Sequence, residues 1–171
     1  MLSRIAVPTT QSRLGSTDDA KPQRGDMYQH ILIATDGSEL AGKAVVVGLD
    51  LTKQLQCKVT AVTVSEPWRV LVTGEVAVGF PIDEYDKATA ETAGRVLAAV
   101  VELARKSDVA CATVHVKDQY PAEGILDTAK KAGCDLIVMA SHGRRGLGRL
   151  LLGSEAVKVL THSTIPVLIC R

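Results

Sequence analysis

The segment Met139–Ser154, MASHGRRGLGRLLLGS, concentrates residue types that handle anions. Gly143, Gly146, Gly148 and Gly153 let backbone amides approach a ligand closely. Ser154 opens the last predicted helix, where unpaired N–H groups and the helix dipole attract negative charge. No Asp or Glu occurs from Leu136 to Ser154, whereas Arg144, Arg145 and Arg149 do, so the marked charge imbalance of the body falls on this stretch. Such a loop can cradle phosphate. A solvent-facing loop with hydrated arginines has the same composition, and composition alone leaves both readings open. A second stretch, Ala34-Thr35-Asp36-Gly37-Ser38, presents a carboxylate directly after a predicted strand. Asp36 can cap the helix that follows or meet a polar ligand.

Groups suited to bond-making are scarce. His142 stands beside the loop without a visible orienting carboxylate, and no catalytic residue is assigned. His30, His115 and His162 are scattered and lack metal-ligand spacing. Neither GxGxxG after the first strand nor GxxxxGKS occurs, which excludes an ordinary dinucleotide-binding dehydrogenase or P-loop enzyme. Ser154 is expected to be the N-cap of the last helix, so its amide and that of Glu155 matter more than its hydroxyl.

Strands and helices must bring the two stretches together. Short apolar runs predict strands at His30–Thr35, Lys58–Val64, Val109–Val116, Leu136–Ala140 and Pro166–Cys170. Helical periodicity predicts helices at Ser38–Gln54, with Ser38 as N-cap, at about Asp83–Lys106, at about Pro121–Lys131 and at Ser154–His162. Regular alternation implies right-handed crossovers and an open parallel sheet with helices on both faces. Ligands in such sheets bind beyond the carboxyl ends of the strands, so both stretches face one crevice if the first and fourth strands are neighbours. The long connection Ser65–Pro81, with Trp68 and Phe80, is expected to be a flap or a partner surface.

The chain has 171 residues, 46% apolar and 23% charged, enough for one domain with a sizeable core. No apolar run approaches the ~20 residues of a membrane span. Residues 1–26 hold four basic and three acidic side chains, leaving sixteen of each in 27–171. A neutral body with five aromatics does not suit a nucleic-acid binder, which needs excess Lys and Arg or a stacking platform. Cys57, Cys111, Cys134 and Cys170 lie far apart without CxxC, which predicts structural thiols in a reducing cytoplasm. Residues 1–26, polar and aperiodic, are expected to form a disordered tail, with Met27 before the first strand and one domain over 27–171. Asp18, Asp19 and Asp26 argue against a targeting peptide.

The order of motifs carries a resemblance. The first strand ends in TDGSE; later Ala140, two residues, Gly143, nine residues and Gly153-Ser154 follow one another. Over Met27–Arg171 the chain resembles the nucleotide-binding branch of the universal stress protein family, with Ala140 where that branch has its first glycine. The resemblance implies a five-stranded parallel sheet in order 3-2-1-4-5. It implies that Asp36 meets the ribose, that Ala34, Thr35 and Val64 line the adenine and ribose pocket, and that Met139 packs nearby. Gly143, Gly153, Ser154 and the Glu155 amide would hold the triphosphate of ATP beside Ala140 and Arg144. Mg2+ or Mn2+ would be bound through the phosphates, not by protein ligands. A homodimer through Pro166–Cys170 is implied as well. The expected function is a cytoplasmic ATP-dependent regulator of the stress response, read by an unknown protein partner. A slow ATPase or autophosphorylating enzyme, a cyclic AMP-binding regulator and a nucleotide-free structural dimer are the alternatives.

Overall fold

A computed structural model describes residues 27–68, 71–73, 76–78, 81–143 and 152–171. The predicted tail, Phe80 and Arg144 lie outside these described residues. The elements in chain order are β1 (His30–Ala34), α1 (Glu39–Leu55), β2 (Lys58–Val64), β3 (Leu71–Thr73), β4 (Val76–Val78) and α2 (Ile82–Lys106). They continue with β5 (Cys111–Val116), α3 (Pro121–Ala132), β6 (Leu136–Ala140), α4 (Ser154–His162) and β7 (Val167–Cys170).

Five strands form an all-parallel sheet in order β5-β2-β1-β6-β7. Counted along the chain this is 3-2-1-4-5, as expected. β1 is buried on both faces, which is why it reads as an unbroken apolar run. Leu32, Ala34, Ile137 and Met139 pack with Ile125, Ala129, Ala156 and Val159 of α3 and α4 on one face. Ile31, Ile33, Ala61 and Val138 pack with Val45 and Leu49 of α1 and Val100 and Ala104 of α2 on the other. The pairing of β1 with β6 is tied at its start by Asp135, whose carboxylate accepts from Gln29 N–H at 2.7 Å and His30 N–H at 3.0 Å. In register, Ala34 lies between Val62 and Met139.

Ser38 caps α1 as predicted, its hydroxyl oxygen accepting from Ala41 N–H at 3.3 Å. Two expectations need correction, and the long connection gains an element. The connection Ser65–Pro81 contains an antiparallel hairpin, β3 with β4. Two short β-prone runs separated by Gly74-Glu75 carried that signal. The third predicted strand begins at Cys111 rather than Val109, because Val109 N–H still bonds Ala104 of α2 and Asp108 takes a left-handed turn (φ 58°) between them. Ser154 is the first residue of α4, and Gly153, in extended conformation, is the cap position.

All four cysteines are free thiols. Burial, reinforced by the nearby Asp135 charge, pushes Cys134 up to about 11. Burial also raises Cys57, Cys111 and Cys170. No described helix is long and apolar enough to cross a membrane.

Candidate functional site

The parallel register makes β1, β2 and β6 end at one level, so the chain segments leaving them are neighbours. After β1, Thr35 N–H donates to the Val62 carbonyl at 3.0 Å, extending the β-type pairing by one residue. Thr35 Oγ1 accepts from Gly37 N–H at 3.2 Å, and Asp36 Oδ1 accepts from Ser38 N–H at 3.0 Å. These local bonds turn the chain into α1 and fix the Asp36 carboxylate at the strand's exit.

After β6, Ser141 is buried and its backbone is engaged at both ends. Its N–H donates to the Cys170 carbonyl at 2.8 Å, and its carbonyl accepts from Gly153 N–H at 2.8 Å. The second bond closes the base of the glycine-rich loop, so Gly143 and Gly153 come to the same rim. Residues 144–151 of that loop lie outside the described set. Ser141 Oγ and His142 Nδ1 are 3.2 Å apart. α4 then starts at Ser154, and the amides of its first turn have no acceptor within the helix.

The Glu155 side chain turns away from this rim. Its Oε2 accepts from Ala122 N–H at 2.9 Å, capping α3, whose own N-cap residue Tyr120 makes no side-chain cap. Its Oε1 accepts from Lys158 Nζ at 2.7 Å, and this hydrogen bond together with the Glu155 charge raises the Lys158 pKa. What Glu155 can offer a ligand is therefore its backbone N–H.

These exits surround one cavity of about 640 Å³. Ala34, Thr35, Asp36, Val64, Met139, Ala140, Gly143, Gly153, Ser154 and Glu155 all line it. Arg144 is outside the described residues, so every described member of the predicted site is brought together. Ala34, Val62, Val64, Ile125 and Met139 make an apolar slot, while Asp36, the Ser141–His142 pair and the start of α4 supply the polar part. An apolar slot with a few convergent polar groups is the usual build of a small-ligand site.

Sequence reasoning missed one wall. Tyr85, Thr89, Thr92 and Val96 of α2 face the cavity, and the Tyr85 hydroxyl donates to the Glu66 carbonyl at 2.7 Å, joining α2 to the segment after β2. Their spacing is a helical stripe in which hydroxyls replace apolar side chains, and that stripe was the available signal. Pro121 and Ile125 add a contribution from α3. Among the described residues no group of three or more His, Cys, Asp or Glu is placed to hold a metal ion.

A model of the universal stress protein family matches residues 27–171. The chain is 32% identical over 149 residues to "Universal stress protein YxiE" of Bacillus subtilis (strain 168), covering 85% of this chain and 100% of that protein. Among solved structures, universal stress protein UspA from Lactobacillus plantarum superposes with a TM-score of 0.70 at 24% identity, covering 84% of this chain and 98% of that one. Two more distant fold neighbours were solved with adenine nucleotides. One is a universal stress protein in complex with cAMP (TM-score 0.60, 21% identity, 84% and 97% covered). The other, from Archaeoglobus fulgidus, is in complex with dAMP (TM-score 0.61, 18% identity, 84% and 98% covered).

Proposed function

The chain belongs to the universal stress protein family, and from that premise we propose that it binds ATP in the cavity at the carboxyl ends of β1, β2 and β6 and acts as a nucleotide-dependent regulator. The observation that carries this reading is that ten residues chosen from sequence motifs line a single cavity of about 640 Å³. The adenine would occupy the apolar slot of Ala34, Thr35, Val64 and Met139, with its ribose on Asp36. The phosphates would lie against Ala140, Gly143, Gly153 and the Ser154 and Glu155 amides, and the sequence motif adds Arg144. Backbone donors at a helix N-terminus suit that charge. A Mg2+ or Mn2+ ion would be held by the phosphate oxygens, oxygen being the ligand such hard cations take.

The proposal assigns no catalytic residue. His142 is paired with Ser141 Oγ, and no ion pair to either is found among the described residues. Function then lies in the shape of the liganded state and a protein partner that reads it, which requires different affinity for the two states. The proposed setting is the cytoplasm, and the proposed assembly a homodimer through β7. A cyclic AMP-binding regulator is the second reading, supported by the neighbour solved with cAMP.

The test is to denature protein purified from cells, identify released nucleotide, and measure melting with Mg-ATP, AMP and cAMP. ATP at ~100 times its Kd stabilises by about 2.7 kcal/mol. Melting unchanged by all three ligands rejects the reading. Stabilisation by cAMP alone selects the second one. Turnover of ATP at about 1 per second or faster makes the protein an enzyme instead.

A further inference from the structure

Resting on the nucleotide reading above, we infer that Gly143 is a positioning residue for the Asp36 carboxylate: its missing side chain is the space that seats the ribose-binding group. A Cβ built on Gly143 lies 2.7 Å from Asp36 Oδ2 and 3.6 Å from its Cγ, with no other described atom within 4 Å. The first distance is shorter than non-bonded carbon and oxygen tolerate. Gly143 is not among the described glycines with positive φ, which are Gly37 and Gly133. Backbone conformation therefore does not require glycine at 143; the neighbouring carboxylate does.

The carboxylate cannot move aside freely. Asp36 Oδ1 holds Ser38 N–H at 3.0 Å, so rotating the group away from a Cβ at 143 disturbs the bond that turns the chain into α1. The two residues meet because β1 pairs with β6: Asp36 lies two residues beyond Ala34, Gly143 lies four beyond Met139, and Ala34 and Met139 are register partners. Gly153 faces a different constraint. Its built Cβ lies 3.1 Å from the Ser141 carbonyl oxygen and 3.5 Å from His142 Cα, with His142 Cδ2 at 3.6 Å, so its two nearest neighbours are backbone atoms of the loop base. The two glycines of one motif thus have separate tasks. Gly153 lets the chain cross itself, and Gly143 keeps room for the carboxylate of another loop.

The experiment is calorimetric titration of the full chain with ATP, 2′,3′-dideoxy-ATP and AMP, on wild type, Gly143→Ala, Asp36→Ala and the double variant. Wild type is expected to prefer ATP over the dideoxy compound by at least ~10-fold, the scale of a charge-assisted hydrogen bond. Gly143→Ala is expected to lose that preference, with a larger change in the ratio of ATP to dideoxy-ATP affinity than in the ratio of ATP to AMP affinity. In the Asp36→Ala background the Cβ has no carboxylate to displace, so adding Gly143→Ala is expected to leave the ratio of ATP to dideoxy-ATP affinity unchanged within about twofold, strong non-additivity. This arm also reads the coupling if the single Gly143→Ala protein folds poorly. Loss of the AMP discrimination with retained ribose discrimination overturns the inference, as do additive effects in the cycle. Wild type without any ribose-hydroxyl preference overturns it too. Wild type that binds none of the three compounds rejects the nucleotide reading itself, a distinct outcome.

Discussion

Gly153→Val is expected to abolish ATP binding, because a side chain there presses on the Ser141 carbonyl that closes the loop base. The cost in stability is about 1–3 kcal/mol, the scale of local overpacking, while the sheet persists. Calorimetry and denaturant melts check both halves; retained wild-type affinity would refute the role given to that crossing. His115 supplies a pH-dependent term. Burial, with help from the Lys117 charge, holds its pKa below the ordinary value. The unfolded chain then binds the proton more readily, so the fold loses stability as pH falls through the ordinary histidine range of about 6.5 toward the lower native value. His115→Gln is expected to flatten that part of the stability curve between pH 7.5 and 5 in urea melts. An equally steep curve in the variant would assign the slope to other groups. At this scale the sequence was informative about which residues gather, since the motif positions line one cavity. It was silent on what each touches. Nothing in the spacing of Asp36 and Gly143 announces that a Cβ at 143 would fall 2.7 Å from the Asp36 carboxylate, because that proximity depends on two strands distant in sequence lying side by side.

Helix termini decide how the elements hold one another. Tyr120 gives α3 no side-chain cap, and Glu155 of α4 supplies one across the gap at 2.9 Å from Ala122 N. Glu155→Ala is expected to cost about 0.5–2 kcal/mol, as loss of an N-cap does, whereas its ion pair with exposed Lys158 adds little. Lys158→Ala should therefore leave the melting midpoint nearly unchanged, and an equal loss in both variants would contradict this division. Strands were legible because each central one is buried on two faces and therefore unbroken in hydrophobicity. Lys58–Val64 and Leu136–Ala140 have the boundaries read from the sequence. The hairpin of β3 and β4 had only a weak signal, two runs of three residues around Gly74-Glu75, each too short for its periodicity to declare itself. The lining role of α2 stayed hidden for another reason. Its first turns are exposed, Ile82 at 53%, so its stripe of hydroxyls did not read as an inward face.

For the whole molecule, the open edge of β7 and the exposed Val157 and Leu160 of α4 are the surface on which the proposed dimer would form. Leu168→Arg, at a position 37% exposed on that strand, is expected to halve the mass measured by light scattering, because two guanidinium groups would be brought to one seam. An unchanged dimer mass would place the seam elsewhere. The strand order followed from alternation combined with the motif resemblance; alternation alone gives parallel layers, while the position of the reversal depends on which strands pair.

The backbone of Ser141 has a mechanical consequence. Its amide hydrogen is tied to the Cys170 carbonyl and its oxygen to Gly153, so the outermost strand and the start of α4 are both fastened to the one residue that follows β6. That residue also lines the cavity, so an occupant is expected to slow hydrogen exchange at its amide. Deuterium uptake there, with and without Mg-ATP, measures the effect; equal rates would contradict it.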